Sequence, residues 1–251
     1  MTAKRFAATV SYDGGGFVGS QRQPNGPTVQ ESLETAAAAL FGAPVRVELA
    51  GRTDSGVHAV GQVAAFSVET RLDAATVGRA LNAHLPGDVA VRDVREVAEG
   101  FDPRRQARRR WYRYTVWNGE AREPLMRRVA WHVGGNLDLP AMGRAAEALT
   151  GTRDFRSCSG PIEDGRTYIR TVFNAGWSRH GDTFLFDIEA NAFLPQMVRR
   201  IVGALVRTGR GSLEVEEFVR LLEGAELATV GPTAPAQGLC LKRVWYDEGY
   251  E

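Results

Sequence analysis

Between Phe6 and Val97 the spacing of apolar residues switches between two and about 3.6, in the order strand, helix, strand, strand, helix, strand. Phe6 to Tyr12 alternates as a strand does, and Asp13-Gly14-Gly15-Gly16 breaks it. Thr28-Val29-Gln30-Glu31 reads as a capping box. Behind it Val29, Leu33, Ala36, Ala37 and Leu40 lay an apolar stripe along one helix face. Val45 to Ala50 reads as a strand, followed by a Gly-rich loop and a second strand from Gln62 to Val68. Asp73 caps a helix that runs to about Leu85 and stops at Pro86-Gly87, and Val89 to Val97 closes the series. This is the split βαβ order.

The remainder reads as a looser copy. Strands are expected over Trp111 to Trp117 and Val129 to Val133. A helix starts at Asp138, with Pro140 in its first turn, and ends around Leu149 to Gly151. Strands over Ile169 to Arg179 and Thr183 to Ala190, helices over Leu194 to Arg207 and Val215 to Leu222, and a last strand over Leu239 to Trp245 complete it. No sequence identity links the halves, so the duplication rests on element order. The expected fold is α+β: two split-βαβ, ferredoxin-like halves, residues 1–103 and 104–251, share a mixed, mostly antiparallel sheet flanked by helices. The active-site cleft is expected between them, with Phe101 to Arg110 as the linker.

Composition narrows the function classes. With 251 residues, 43% hydrophobic and 24% charged, the chain is an ordinary globular one and no disordered or fibrous protein. Its two cysteines, Cys158 and Cys240, cannot build a disulfide scaffold and have no zinc-site spacing. Met1 to Phe6 lacks the apolar run of a secretion signal, and no stretch reaches the roughly 18 apolar residues of a membrane span. A cytoplasmic setting without a membrane partner is expected.

The formal charge of +1 hides an uneven distribution. From Ser212 onward eight acids face three bases, leaving −5, while the preceding residues hold 28 bases against 22 acids, or +6. The densest run, Arg104-Arg105-Gln106-Ala107-Arg108-Arg109-Arg110-Trp111-Tyr112-Arg113, has six arginines, two aromatics and no acid. It suits RNA, where guanidinium groups hold phosphates and rings stack on bases; a solvated loop leading into a strand is the plainer reading.

Gly14 to Gly19 formally matches a dinucleotide loop, but Pro24 and Pro27 stand before the helix begins, so no helix N-terminus meets the glycines and a turn is expected. Gly51-Arg52-Thr53-Asp54-Ser55-Gly56-Val57-His58-Ala59 is the most informative segment. One reading is a structural turn in which Asp54 bonds backbone amides and Arg52 offers a surface ion pair. The other is a single carboxylate poised in a cleft as nucleophile or base. One aspartate argues against a glycosidase pair and a two-metal site. His58 has no triad partner at a telling spacing and reads as a packed strand-edge residue. Farther along, Leu194, Met197, Val198, Ile201 and Leu205 form a core stripe, leaving Arg199 and Arg200 on adjoining faces, for solvent or for a carboxylate.

Taken together, several stretches resemble the tRNA pseudouridine synthase A family. They include Ser11-Tyr12-Asp13-Gly14, the Gly51 to Ala59 segment, Asn82 with Leu85-Pro86, and Tyr112-Arg113-Tyr114. Arg166-Thr167, Asn191-Ala192-Phe193, Met197-Val198-Arg199 and Gly231 to Ala236 before Gly238-Leu239 follow in family order. The resemblance implies isomerisation of uridine to pseudouridine at about positions 38, 39 and 40 of the tRNA anticodon stem-loop, by a homodimer needing no cofactor and no metal. It gives Asp54 the catalytic role, attacking the ribose or removing a ribose proton. It gives Tyr112 stacking on the target base, Arg52 a hold on the flipped nucleotide, Arg199 the basic partner of the aspartate, and Leu239 a place in the pocket wall. Arg104, Arg105, Arg108, Arg109 and Arg110 become candidates for the RNA backbone. Two places depart from the pattern: Gly19-Ser20 stands where members often have Gly-Trp, and Leu194-Pro195-Gln196 replaces a commonly His-rich stretch. The competing class is a non-catalytic RNA-binding α+β module, which has no use for the Gly51 to Gly56 loop.

Overall fold

A computed structural model describes residues 2–224 and 226–247. The chain forms two compact units. One comprises the residues up to Arg108 together with the segment from Leu241 onward, and the other runs from Arg109 to Cys240.

The first unit holds β1 (Thr2–Tyr12), α1 (Val29–Phe41), β2 (Glu48–Leu49), β3 (His58–Thr70), α2 (Ala74–His84) and β4 (Val89–Val97). The order β4-β1-β3, with β2 on β3, is the antiparallel split-βαβ arrangement expected from the periodicity. Both helices carry the predicted caps: Thr28 Oγ1 accepts from Glu31 N–H, and the Asp73 carboxylate accepts from Thr76 N–H at 2.7 Å. At the centre Phe6 pairs with Phe66 in register, their rings 5.8 Å apart, and Ala7 and Ala8 face Ala65 and Ala64. β3 is buried on both faces over most of its length, hence its near-continuous apolar run.

Only Glu48 and Leu49 of the Val45 to Ala50 stretch pair as a strand. α1 has taken the backbone of Val47: its N–H donates to Glu34 and its carbonyl accepts from Gln30.

The second unit holds β5 (Arg109–Trp117), β6 (Trp131–His132), α3 (Leu139–Glu147), β7 (Gly151–Asp154), β8 (Ile169–His180), β9 (Thr183–Ala190), α4 (Met197–Gly209) and α5 (Val215–Glu223). β10 (Leu239–Trp245) begins here and ends in the first unit. The order β5-β9-β8-β7 is antiparallel, with Tyr114, Phe186, Phe184 and Ile188 at the core. β6 is two residues long because the Asn118 side chain takes the Val133 carbonyl at 2.6 Å. β7 had no apolar alternation to announce it; Thr152, Arg153 and Asp154 form a polar edge strand.

Helix α4 starts at Met197, three residues later than the stripe suggested. Gln196 sits in the left-handed region at φ 60°, and Leu194 to Gln196 form a turn closed by Met197 N–H on the Leu194 carbonyl. The expected stripe is buried throughout. Of the cysteines, Cys158 is fully buried, and desolvation pushes its thiol up to about 12, which removes it as a thiolate nucleophile at neutral pH. Among the described residues no helix is long and apolar enough to cross a membrane.

Candidate active site

The loop between β2 and β3 is built on buried hydrogen bonds that make Asp54 a fixed point. Gln62, a fully buried polar side chain within β3, donates to the Gly51 carbonyl at 2.9 Å and accepts from Gly51 N–H. Thr53 is held three ways: its hydroxyl pairs with Tyr12 Oη at 2.9 Å, its N–H donates to Ser20 Oγ at 2.8 Å, and its carbonyl accepts from Ser20 N–H. Asp54 bridges Gly19 in an antiparallel pair, and its carbonyl accepts from Val57 N–H to close the turn. Gly56 takes φ +78°, a conformation favouring glycine.

The neighbouring Gly14 permits the closest approach in this region. A Cβ there would lie 2.0 Å from the Val57 carbonyl oxygen. Gly14 N–H donates to His58 Nδ1 at 3.0 Å, so His58, first residue of β3 and buried, packs at the strand edge as expected. Asp54 itself is half-buried and Arg52 exposed, with Thr53 between them buried. A carboxylate is thus presented by a rigid, hydrogen-bonded loop.

Ser20, Tyr12 and Gln62 are the residues a search for chemistry passes over. Gln62 left a trace, as an amide in an apolar strand. Ser20 is fully buried beside the carboxylate loop, at the place that departs from the family pattern. Ser20→Ala removes the acceptor for Thr53 N–H and is expected to cost about 1–3 kcal/mol, the penalty of a buried unsatisfied amide. Denaturant melts of the variant and the parent measure it; equal midpoints would show that the bond contributes nothing.

The second unit gathers another set. Tyr112, buried in β5, packs edge-on against Phe193, ring centroids 5.1 Å apart and planes at 84°. Two residues on, the fully buried Tyr114 donates its hydroxyl to the Pro235 carbonyl at 2.8 Å, and its ring lies 2.5 Å from where a Gly238 Cβ would be. Burial drives the Tyr114 hydroxyl far above its ordinary pKa, outweighing a smaller opposite pull from Arg199. Tyr114 is therefore a neutral donor fixing the 235–238 turn, after which Leu239 enters β10, buried. Arg199 Nε donates to the Ala234 carbonyl at 2.8 Å, and Ala234 N–H donates to the Arg199 carbonyl, so this turn clasps the start of α4. Arg52 and Asp54 thus share the loop of the first unit, while Tyr112, Arg199 and Leu239 lie in the second.

The arginine run straddles the two units, with Arg104, Arg105 and Arg108 in the first and Arg109 and Arg110 in the second. Free of acids in sequence, it meets them in space. Arg108 pairs with Asp247 at 2.6 Å, Arg105 with Asp102, and Arg109 with Glu189 at 2.9 Å while lying over the Phe173 ring. All but Arg110 are exposed, and such surface pairs contribute about 0–1 kcal/mol, a bond that a phosphate can displace. Among the described residues no group of three or more His, Cys, Asp or Glu side chains is placed to hold a metal ion.

The family model and the curated relatives name the same activity. The family model described as tRNA pseudouridine synthase matches residues 8–104 and 145–247. A tRNA pseudouridine synthase A of Geobacter sulfurreducens is 45% identical over 235 residues, covering 94% of this chain and 96% of its own. Its counterpart in Moorella thermoacetica is 43% identical, covering 95% and 98%, and that of Myxococcus xanthus 44%, covering 98% and 93%.

Proposed function

The chain belongs to the tRNA pseudouridine synthase family, and from that premise we propose that it isomerises uridine to pseudouridine at about positions 38, 39 and 40 in the anticodon stem-loop of tRNA. The observation that carries this reading is the 45% identity to a tRNA pseudouridine synthase A over 94% of this chain and 96% of that one.

In this reading Asp54 is the catalytic group. It attacks the ribose C1′ or removes a ribose proton, and the N1–C1′ bond breaks with its electron pair staying on uracil. The detached base turns and C5 bonds to C1′ as the Asp54–C1′ bond breaks or, on the other route, as the ribose proton is returned; the C5 proton leaves to a base, and N1 ends protonated. Reactant and product have the same composition, so no oxidant, reductant or group donor is consumed. The rigid Thr53 to Val57 loop supports this role, because a nucleophile or base must be held to a fraction of an ångström. Tyr112 stacks on the target base and is placed to take the C5 proton. Arg52 holds the flipped nucleotide, Arg199 is the basic partner of the aspartate, and Leu239 lines the wall that retains free uracil. The exposed Arg104, Arg105, Arg108 and Arg109, with Arg110, follow the RNA backbone. The enzyme works as a homodimer in the cytoplasm, its catalytic loop on the first half and its stacking tyrosine on the second.

The test is release of tritium from C5-labelled uridine in tRNA, joined to mass-spectrometric location of the pseudouridines missing from a strain without the gene. Release without cleavage, and loss at positions 38–40, are expected. Bound but unaltered tRNA would favour the RNA-binding module.

A further inference from the structure

Four arginines of the second unit, Arg110, Arg153, Arg166 and Arg170, lie near one another. Arg170 of β8 lies directly opposite Arg153 of β7 in the antiparallel register. Like charges so placed weaken a strand pair. Arg110 Nη1 donates to the Asn191 carbonyl at 2.6 Å, and Asn191 is tied through both its N–H and its Oδ1 to the backbone of Thr171, the next residue after Arg170. Arg166, in the approach to β8, is paired with Glu163 at 2.7 Å.

Arg170 is half-buried. One of its Nη atoms donates to the Thr167 and Ile169 carbonyls, and its Nε is buried with no hydrogen-bond partner. Arg153 Nε is in the same state. Among the described residues no carboxylate pairs with Arg170. Burial, then the neighbouring charges of Arg166 and Arg110, hold the Arg170 pKa below its ordinary value. A guanidinium kept partly from water, with open donors and cations for neighbours, is in an environment that an oxyanion would relieve at every point.

We infer that Arg170, flanked by Arg110 and Arg153, binds a phosphodiester of the RNA substrate. The inference rests on the reading of the substrate as RNA and adds a contact point to it. Its location fits that use. Arg110 precedes Tyr112 by two residues on β5, and Asn191 precedes by two the Phe193 ring that packs on Tyr112. The phosphate would lie at the strand ends beside the stacking tyrosine. The plainer account gives Arg170 only the anchoring of the 167–169 turn.

Arg170→Gln separates the two. Binding of an anticodon stem-loop RNA is measured across a range of salt concentrations, alongside thermal melts. The expected results are affinity about five- to tenfold weaker and a slope of log K against log salt shallower by about one. The melting midpoint is expected unchanged or raised, since a repulsion is removed. Arg170→Lys retains the charge and is expected to keep the parent slope. An unchanged slope in Arg170→Gln overturns the site whatever the midpoint does. A parent protein that binds the stem-loop but releases no tritium from C5 overturns the isomerase reading instead, and the slope comparison still decides the phosphate site.

Discussion

Asp54→Asn is expected to abolish pseudouridine formation, a loss on the order of a thousandfold or more, while tRNA affinity stays within about tenfold. The amide has the shape of the carboxylate but neither its basicity nor its nucleophilicity. Several bonds hold the loop without the Asp54 side chain. The Asp54 backbone bridges Gly19 and accepts from Val57, and its neighbour Thr53 is fixed by Ser20 and Tyr12. The folded loop should therefore survive, and a single-turnover assay with parallel binding curves reads the chemistry alone. A variant that keeps its turnover removes Asp54 from the mechanism. One that loses thermal stability together with binding makes it a turn residue.

The second large effect is expected at Gly203→Ala. In a helix interior this change ordinarily stabilises by about 1 kcal/mol, because alanine is the better helix former. Here sterics reverse the sign. A Cβ on Gly203 would lie 1.9 Å from the Pro232 carbonyl oxygen, and backbone cannot rotate aside as a side chain can. The 231–234 segment is also clamped to α4, through Arg199 Nε on the Ala234 carbonyl, Ala234 N–H on the Arg199 carbonyl, and Arg200 on the Gly231 carbonyl. Overpacking at such a contact costs about 1–3 kcal/mol, sometimes more, and the segment that must yield is the one holding Arg199. Lower stability in denaturant melts and reduced turnover are both expected. A variant more stable than the parent would mean that helix propensity outweighs the contact.

Much of this was legible in the sequence where a local rule applied. Thr28 and Asp73 announced their helices because a cap is written in adjacent residues. Val89 to Val97 and Thr183 to Ala190 came out to the residue, because alternation is itself the signature of a half-buried strand. The failures share one cause. Val45 to Ala50 looked like a strand, yet side chains from α1 claimed the Val47 backbone, and no local pattern records a partner thirteen residues away. The same holds at the candidate site. Arg52 and Asp54 stand out by composition, but Ser20, whose hydroxyl holds Thr53 from 33 positions away, stands out only as a departure from the family pattern, with nothing to tell its structural role. The arginine run was misleading in its own way, since Asp247 and Glu189 approach it from 139 and 80 positions away.

The chain passes between its two units twice, after Arg108 and again after Cys240, so the first unit is made of two separated stretches. On the ribosome this sets a sequence of events. Residues 109–240 are contiguous and can fold as soon as they emerge. The Asp54 unit cannot be completed then, because Lys242, whose carbonyl oxygen lies 2.2 Å from where a Gly61 Cβ would stand, is synthesised after all of them. The strand that begins just after the carboxylate loop thus gains this neighbour only after the whole of the second unit has been made. The nascent chain carries its aspartate in an unfinished scaffold until the enzyme is whole.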